Sequence, residues 1–193
     1  MAIRVNPLIK LYIFVSQLRI VMEFNNDKNS VYKYAANYGL ILGLATVIYS
    51  LLMRFAGFAD SSMTFWGYQI IISVAIAFGI KKYKEEIEEG FISYAKALKI
   101  GVLIAAFSGV IQAFFVYFYY SFTSPEEMTA IVNNMQEILV QMGKSDQEIE
   151  MASKMLSPTY FAVVIMIKEI LKGFIFSLII SAFLKKEKSI FED

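Results

Sequence analysis

The stretch from Gly90 to Phe122, GFISYAKALKIGVLIAAFSGVIQAFFVYFYYSF, decides the fold class of this protein. No charged residue occurs between Lys99 and Glu126. A helix that rises about 1.5 Å per residue over this length crosses a hydrocarbon core of roughly 30 Å. A basic amphipathic segment, GFISYAKALK, leads into it. The stretch therefore predicts a membrane-spanning helix.

Small residues recur at a spacing of four along this span and along an earlier one. Residues four apart lie on one face of a helix, and small side chains there let a second helix approach closely. The positions are Gly101, Ala105, Gly109 and Ala113 in this span, and Gly39 and Gly43 in the earlier one. We expect these two faces to be helix-packing contacts.

The composition excludes most familiar site chemistry. Hydrophobic residues make up 58% of the 193 positions, and the chain contains neither cysteine nor histidine. Disulfides, thiolate nucleophiles, imidazole acid/base catalysis and zinc-type ligand sets are therefore absent. A net charge of +1 does not suit a nucleic-acid binder, which needs clustered cations. We expect a protein that is not an enzyme and that holds no cofactor or metal.

Hydropathy predicts an all-α membrane protein with four transmembrane helices, which together form a membrane domain over residues 34–188. The predicted spans are about residues 34–56, 61–80, 100–122 and 160–184. Phe65, Trp66 and Tyr68 are expected in an aromatic belt at the membrane interface. The charged connector after the second span is predicted to form two surface helices that break at Gly90.

An extracytoplasmic helical insertion is predicted between the third and fourth spans, at residues 124–157. Capping signals start its two helices, and a further Ser-Pro pair starts the fourth span. They are Ser124 with Pro125 and Glu127, Ser145 with Glu148, and Ser157 with Pro158. The first helix is amphipathic, and methionines recur along the insertion at Met128, Met135, Met142, Met151 and Met155. This methionine-rich face is predicted to pack on the helical pair itself or on the membrane surface, or else to form a groove for a partner.

The distribution of Lys and Arg predicts the orientation. Most of them lie in residues 1–33, in the connector 81–99 and in the tail, whereas the opposite side carries Arg54, Lys144 and Lys154. By the positive-inside rule both termini, including the tail 189–193, are cytoplasmic. The expected location is the bacterial cytoplasmic (inner) membrane, with the acidic insertion facing outward.

Residues 1–33 are interpreted as a cytoplasmic N-terminal segment. Lys10 and Arg19 interrupt its apolar part and no small-residue cleavage site follows, so a cleaved signal peptide is not expected. Two interpretations remain open. Residues 1–21 form an interfacial amphipathic helix, or the start is mis-assigned and Met22 is the first residue of the protein.

Charged and polar residues at membrane depth form the candidate site. Each intramembrane charge costs about 2.5–3.5 kcal/mol near the centre of a helix. By residue counting, Lys172 lies roughly 20 Å from the cytoplasmic edge, and Glu169 can pair with it. The predicted polar cluster comprises Lys168, Glu169, Lys172, Gln112, Gln69 and Thr46. Its alternatives are inter-helical hydrogen bonding, with a lysine reaching the outer surface, and an ion or transport site.

Several motifs resemble domain of unknown function 4199, a family of small four-span bacterial membrane proteins. They are YGLILG, an FWxxQII span ending in KKYKEE, EGFISYAKALKIG, and a final GFIFSLIISAFLKKEK. The resemblance covers roughly residues 33–188. It implies a four-helix membrane fold with an outward insertion after the third span, and it brings no activity and no catalytic residues.

Two functions fit these features. The first is a non-enzymatic envelope component or accessory subunit that acts through helix packing and the outward helical pair. The second is a small oligomeric transporter or channel that uses the midplane polar layer. An intramembrane enzyme would need a residue constellation that the sequence does not offer. The expected partners are the lipid bilayer and either a second copy of the chain or another membrane protein, with no nucleic acid.

Overall fold

The computed structural model describes residues 31–59 and 61–187, and within them the chain is α-helical. Six α-helices follow one another: α1 Val31–Phe55, α2 Ser62–Glu86, α3 Tyr94–Phe118, α4 Pro125–Gln141, α5 Asp146–Met155 and α6 Pro158–Leu184. A π-helical turn, Tyr119–Thr123, extends α3. The all-α prediction is confirmed.

Three of the described helices are long and apolar enough to cross a membrane. They are α1, α2, and α3 together with its π-helical turn. The helix α6 is 27 residues long, but Lys168, Glu169 and Lys172 interrupt its apolar sequence, and by composition it does not join the other three. A membrane location follows from the three apolar helices, and the four-span count remains a prediction.

The bundle is organised around α3, which packs most extensively against α6 and α1. Its buried centre includes Leu42 from α1 together with five isoleucines from α2 and α3: Ile72, Ile76, Ile80, Ile100 and Ile104. Large apolar side chains also cover the outside of the helices, such as Ile41, Ile48, Ile70, Phe114 and Ile175. An apolar outer surface of this extent suits a bundle surrounded by lipid.

The connector between α2 and α3 is shorter than predicted. Two separate surface helices were expected, and this prediction is wrong, because α2 continues through KKYKEE to Glu86 and α3 begins at Tyr94. Ion pairs four residues apart support the extra turns of α2, namely Lys81 with Glu85 and Lys82 with Glu86. Ser93 caps α3 through the Lys96 amide. Gly90, with φ +89°, lies in the short loop that remains.

This loop is joined to the end of α6. Ile92 and Lys186 exchange two backbone hydrogen bonds, of 2.8 and 2.9 Å. The Lys84 ammonium donates to the carbonyl of Leu184 at 2.9 Å, which satisfies an orphan carbonyl in the last turn of α6. We call this end of the bundle the connector end, and the opposite end, where α1 meets α4, the hairpin end.

The helices α4 and α5 form a hairpin that turns at Gly143, whose φ is +71°. The predicted capping box of α5 is confirmed, with reciprocal hydrogen bonds between Ser145 and Glu148. The backbone N–H of Ser145, together with the Lys144 ammonium and the Ser145 hydroxyl, holds the pKa of Glu148 at about 2. Ser157 caps α6 as predicted.

The predicted capping box at the start of α4 is wrong. Pro125 is the first helical residue, as expected, but the Ser124 hydroxyl makes no cap and donates instead to the Tyr119 hydroxyl at 3.1 Å. The Glu127 carboxylate, which would complete the box, is bound elsewhere. Arg54 and Tyr119 both donate to it.

The predictions for residues 1–30 and for the tail 189–193 lie outside the described residues. They include the interfacial helix, the alternative start at Met22 and the cytoplasmic placement of both termini.

Candidate functional site

The helices α3 and α6 meet along a seam of small residues. The two helices run antiparallel, and three pairs face each other in steps of four: Gly101 with Ser177, Ala105 with Gly173, and Gly109 with Glu169. A Cβ placed on Gly109 would lie 3.2 Å from the Cβ of Glu169. Such spacing leaves room for backbone approach but not for larger side chains.

Sequence reasoning found one half of this seam and missed the other. The α3 positions Gly101, Ala105 and Gly109 lie in the seam, and Ala113 is half-buried one turn further on. The matching face of α6, with Gly173, Ser177 and Ser181, was not identified. Its signal was present, because these residues follow Glu169 at the same spacing of four.

The two glycines of α1 face α3 rather than α2, which is the neighbour of α1 in sequence. A Cβ on Gly39 would lie 2.5 Å from the Cβ of Phe107, and one on Gly43 would lie 2.7 Å from the Cβ of Ile111. Both distances are shorter than ordinary Cβ contacts. The glycines therefore bring the α1 backbone close to the central helix.

Two buried polar side chains, Thr46 and Gln112, and the half-buried Tyr68 form a hydrogen-bonded triad across α1, α2 and α3. The Gln112 amide donates to the Thr46 hydroxyl at 2.9 Å and to the Tyr68 hydroxyl. The Thr46 hydroxyl donates to the Leu42 carbonyl at 2.8 Å, within its own helix. Gln112 is 5% exposed and Thr46 is fully buried. The triad satisfies polar groups that would otherwise be costly inside an apolar bundle.

Tyr68 is the residue that sequence reasoning placed wrongly. It was expected in an interfacial aromatic belt with Phe65 and Trp66, which are indeed exposed. Tyr68 instead points inward and accepts the Gln112 hydrogen bond. The one sequence signal for an inward polar role was its position next to Gln69 and four residues after Thr64, in the part of α2 before the charged KKYKEE turn.

An ion pair lies beside this triad on α6. The Lys172 ammonium is 2.5 Å from the Glu169 carboxylate, and it lies 4.4 Å from the centre of the Tyr68 ring. The carboxylate is the deeper partner, because Glu169 is only 5% exposed. A cation over an aromatic face gains a further electrostatic attraction. The tyrosine thus connects the uncharged triad to the charged pair.

Two cavities open around these residues. The first, about 260 Å³, is lined by Ser50, Arg54, Tyr68, Gln112, Phe115, Val116, Tyr120, Phe161, Ile165, Lys168, Glu169 and Lys172. The second, about 330 Å³, is lined by Ala59, Ser61, Thr64, Phe65, Tyr68, Gln69, Lys168 and Lys172. Tyr68, Lys168 and Lys172 line both, so these three side chains form the boundary between the two spaces.

The six residues of the predicted polar cluster are not equivalent in the structure. Thr46 and Gln112 are hydrogen-bonded to each other, and Glu169 and Lys172 form the ion pair. Gln69 and Lys168 lie in the walls of the second cavity. Five of the six residues therefore line the two cavities. Thr46 does not, but it is hydrogen-bonded to Gln112, which lines the first cavity.

Arg54 adds a cation that sequence reasoning had assigned only to the outer side. It lines the first cavity, and its guanidinium contacts the Glu127 carboxylate of α4 at 2.5 Å. The same carboxylate accepts a 2.7 Å hydrogen bond from the Tyr119 hydroxyl, and Arg54 stacks over the Tyr119 ring at 4.7 Å. Through these contacts, α4 of the hairpin is attached to Arg54 in the wall of the first cavity.

The side chains around the two cavities are suited to binding a ligand through cations and hydrogen-bond donors. Within the described ranges, no group of three or more His, Cys, Asp or Glu residues could hold a metal ion. The cavities combine three cationic side chains with tyrosine, serine and glutamine groups. Such a set can orient an anionic or polar ligand.

Comparison with known proteins identifies the family. The family model described as "Protein of unknown function (DUF4199)" matches residues 37–186, which include all six described helices in whole or in part. Searches of curated proteins and of solved structures find no match. The chain therefore belongs to the DUF4199 family of proteins of unknown function.

Proposed function

We propose that this protein is a four-span integral membrane protein of the bacterial cytoplasmic membrane, with α6 as its fourth span. Support comes from the 27-residue length of α6 and from its seam with α3. Its deepest charges also compensate each other, because Glu169 and Lys172 form an ion pair. Pairing lowers the cost of charges at membrane depth.

The positive-inside distribution supports cytoplasmic termini and an outward hairpin. The chain has no cysteine, so single cysteines can be introduced without removing others. A cysteine at Lys144, in the hairpin turn, should react with a membrane-impermeant thiol reagent added outside intact cells. A cysteine at Glu89, in the α2–α3 loop, should react only after the membrane is opened. The reverse pattern would contradict the proposed topology.

The biochemical role that we propose is contact with another membrane protein, as a non-enzymatic envelope component or accessory subunit. The observation that most supports this role is the apolar surface of the α4–α5 hairpin. Its two helices join through the Gln136 amide and the Ser153 hydroxyl, 2.9 Å apart, yet Met142 and Met151 remain 66% and 67% exposed. Along α4 the apolar face becomes more exposed from the buried Met128 toward the hairpin tip. Flexible methionine side chains adapt to a partner surface.

Native mass spectrometry of the gently extracted protein tests this role. A second protein at fixed stoichiometry would support an accessory subunit, and Met142→Ser with Met151→Ser should release it. Gln141→Ser, at an exposed polar position on the same hairpin, is the matched control and should retain the partner. A particle that contains only this chain would contradict the accessory role.

A second candidate function is transport by an oligomer, and the two cavities favour it. They place the ion pair of Glu169 and Lys172 beside space that a solute or water can enter. Solute or ion flux into liposomes should then fall with Lys172→Met. If a cysteine at position 172 or 112 resists water-soluble thiol reagents from both sides, no aqueous pathway reaches this layer and the transport function is refuted.

A further inference from the structure

The charge around the two cavities is unbalanced. Among the described residues that line the first cavity, three are cations, Arg54, Lys168 and Lys172, and one is a carboxylate, Glu169. The second cavity contains the same two lysines and no carboxylate among its described lining residues. Both spaces therefore present a net positive lining, which attracts anions more strongly in a poorly hydrated site than in water.

The ion pairs among the described residues show which of these cations has a carboxylate partner there and which has none. Arg54 is compensated by Glu127, and Lys172 by Glu169. Lys168 forms no ion pair or hydrogen bond with the residues of 31–59 and 61–187. Its side chain is exposed and is therefore accessible to a ligand. Its position on the boundary of both cavities is where a bound anion would supply a partner.

Neutral groups around the lysines also favour an anion. Ser61 and Thr64 line the second cavity at the first turn of α2, a helix of 25 residues. Ser61 caps this helix by accepting from the Thr64 amide, and the positive end of the helix dipole there adds to the charge of the lysines. The hydroxyl groups of Ser50 and Tyr120 lie in the wall of the first cavity.

The size of the cavities limits what can enter. Ligand pockets have volumes of roughly 300–1,000 Å³. The first cavity, about 260 Å³, is slightly smaller than this range, and the second, about 330 Å³, lies at its lower end. They suit a headgroup or a small ion rather than a whole lipid. The exposed ring of Phe65 lines the second cavity, so the surface next to it is apolar and can hold acyl chains.

From these observations we propose that the cavities around Lys168 and Lys172 bind a phosphate-class oxyanion. Its source is the headgroup of an anionic phospholipid or a free oxyanion such as inorganic phosphate. Lys168 supplies a charge that no described residue pairs with, and Lys172 supplies a second donor that it shares with Glu169. This site is independent of the contact function proposed above, because it lies in the bundle and not on the tip of the hairpin.

The test compares the full-length protein with Lys168→Gln. This variant should fold normally, because Lys168 is exposed and takes part in no described pair. Lys154→Gln, which changes an exposed lysine of α5 paired with Glu150, is the matched control. Each protein is reconstituted with equal amounts of phosphatidylglycerol and phosphatidylcholine, and the bound lipids are counted by native mass spectrometry. In parallel, inorganic phosphate is titrated in detergent while thermal unfolding is followed.

For a lipid headgroup, Lys168→Gln should reduce phosphatidylglycerol binding about five-fold and leave phosphatidylcholine binding unchanged. For a free oxyanion, millimolar phosphate should raise the unfolding temperature of the wild type and of Lys154→Gln, but not of Lys168→Gln. Either result supports the site and identifies the source. If Lys168→Gln behaves as the wild type in both arms, the proposal is overturned.

Discussion

The close packing of α3 against α6 predicts that a glycine-to-alanine substitution in the seam lowers stability, whereas helix propensity alone predicts that it raises stability. Replacing glycine by alanine inside a helix normally stabilises it by roughly 0.5–1 kcal/mol. At Gly173, however, a new Cβ would overlap the Cβ of Ala105, which is itself 3% exposed and attached directly to the α3 backbone. No flexible side chain can move away, so the two helices must separate.

Overpacking of this kind costs about 1–3 kcal/mol, which exceeds the gain in propensity. Gly173→Ala is therefore expected to lower the folding equilibrium constant by roughly 5- to 150-fold before that gain is subtracted. The compensating variant Ala105→Gly with Gly173→Ala moves one methyl group across the seam. Its propensity changes cancel and its volume is unchanged, so it should regain most of the lost stability.

The assay is unfolding in mixed micelles, followed by the fluorescence of Trp66, the only tryptophan in the sequence. Ala182→Gly, at an exposed position on α6, measures the propensity effect of the same change in size away from the seam. The reasoning is refuted if Gly173→Ala is as stable as the wild type, or if the double variant is no more stable than Gly173→Ala alone.

Three further predictions concern ionised groups. Lys172→Met should destabilise the protein more than Glu169→Gln, because it leaves the more deeply buried ion unpaired: the Glu169 side chain is 6% exposed and the Lys172 side chain 27%. A lone buried ion costs about 3–5 kcal/mol. Equal losses of stability in micelle unfolding would contradict this reasoning. Glu127→Gln should weaken the attachment of the hairpin by only about 0.2–1 kcal/mol, because both partners of its ion pair are over one-third exposed. The loss should be measurable as faster amide exchange in α4. The pKa of Glu148 is lowered from 4.5 to about 2, so its contribution to α5 is complete above about pH 4.5 and is lost as the pH falls through 2. The protection of the α5 amides, measured against their intrinsic exchange rates at each pH, should fall over that range. Ser145→Ala removes the hydroxyl contact but keeps the backbone N–H donor and Lys144, so it should weaken the dependence. Unchanged protection in the wild type would argue against the capping box.

Local rules predicted most of the helices of this protein. Membrane-length uncharged runs, N-caps and helix-terminating glycines are recognised from residues that are close in sequence. The helix capped by Ser157 and the turn at Gly143 were therefore predictable. The continuation of α2 through KKYKEE was missed, because mixed charge was interpreted as a solvent-exposed connector. Its ion pairs four residues apart favour helix just as well.

The side-chain partners in the site were less predictable. Glu127 had an ideal local role as a capping residue, but Arg54, 73 positions away in sequence, binds it instead. Tyr68 likewise had a plausible place at the interface, but Gln112 of another helix binds it. A sequence shows which polar residues lie at similar depth. It does not show which helices are neighbours, and here α1 packs on α3 more than on α2.

The central position of α3 has a consequence for biosynthesis. Its small-residue face is completed by α6, yet the ribosome must first make α4 and α5, which takes on the order of seconds. During that interval α3 has only its α1 and α2 neighbours, and Gly101 and Ala105, which will face Ser177 and Gly173, have no matching surface. A nascent chain at this stage is a substrate for insertases and for membrane proteases that recognise unassembled helices. Substitutions in α6 should therefore change the amount of protein in the membrane before they change any property of the assembled bundle.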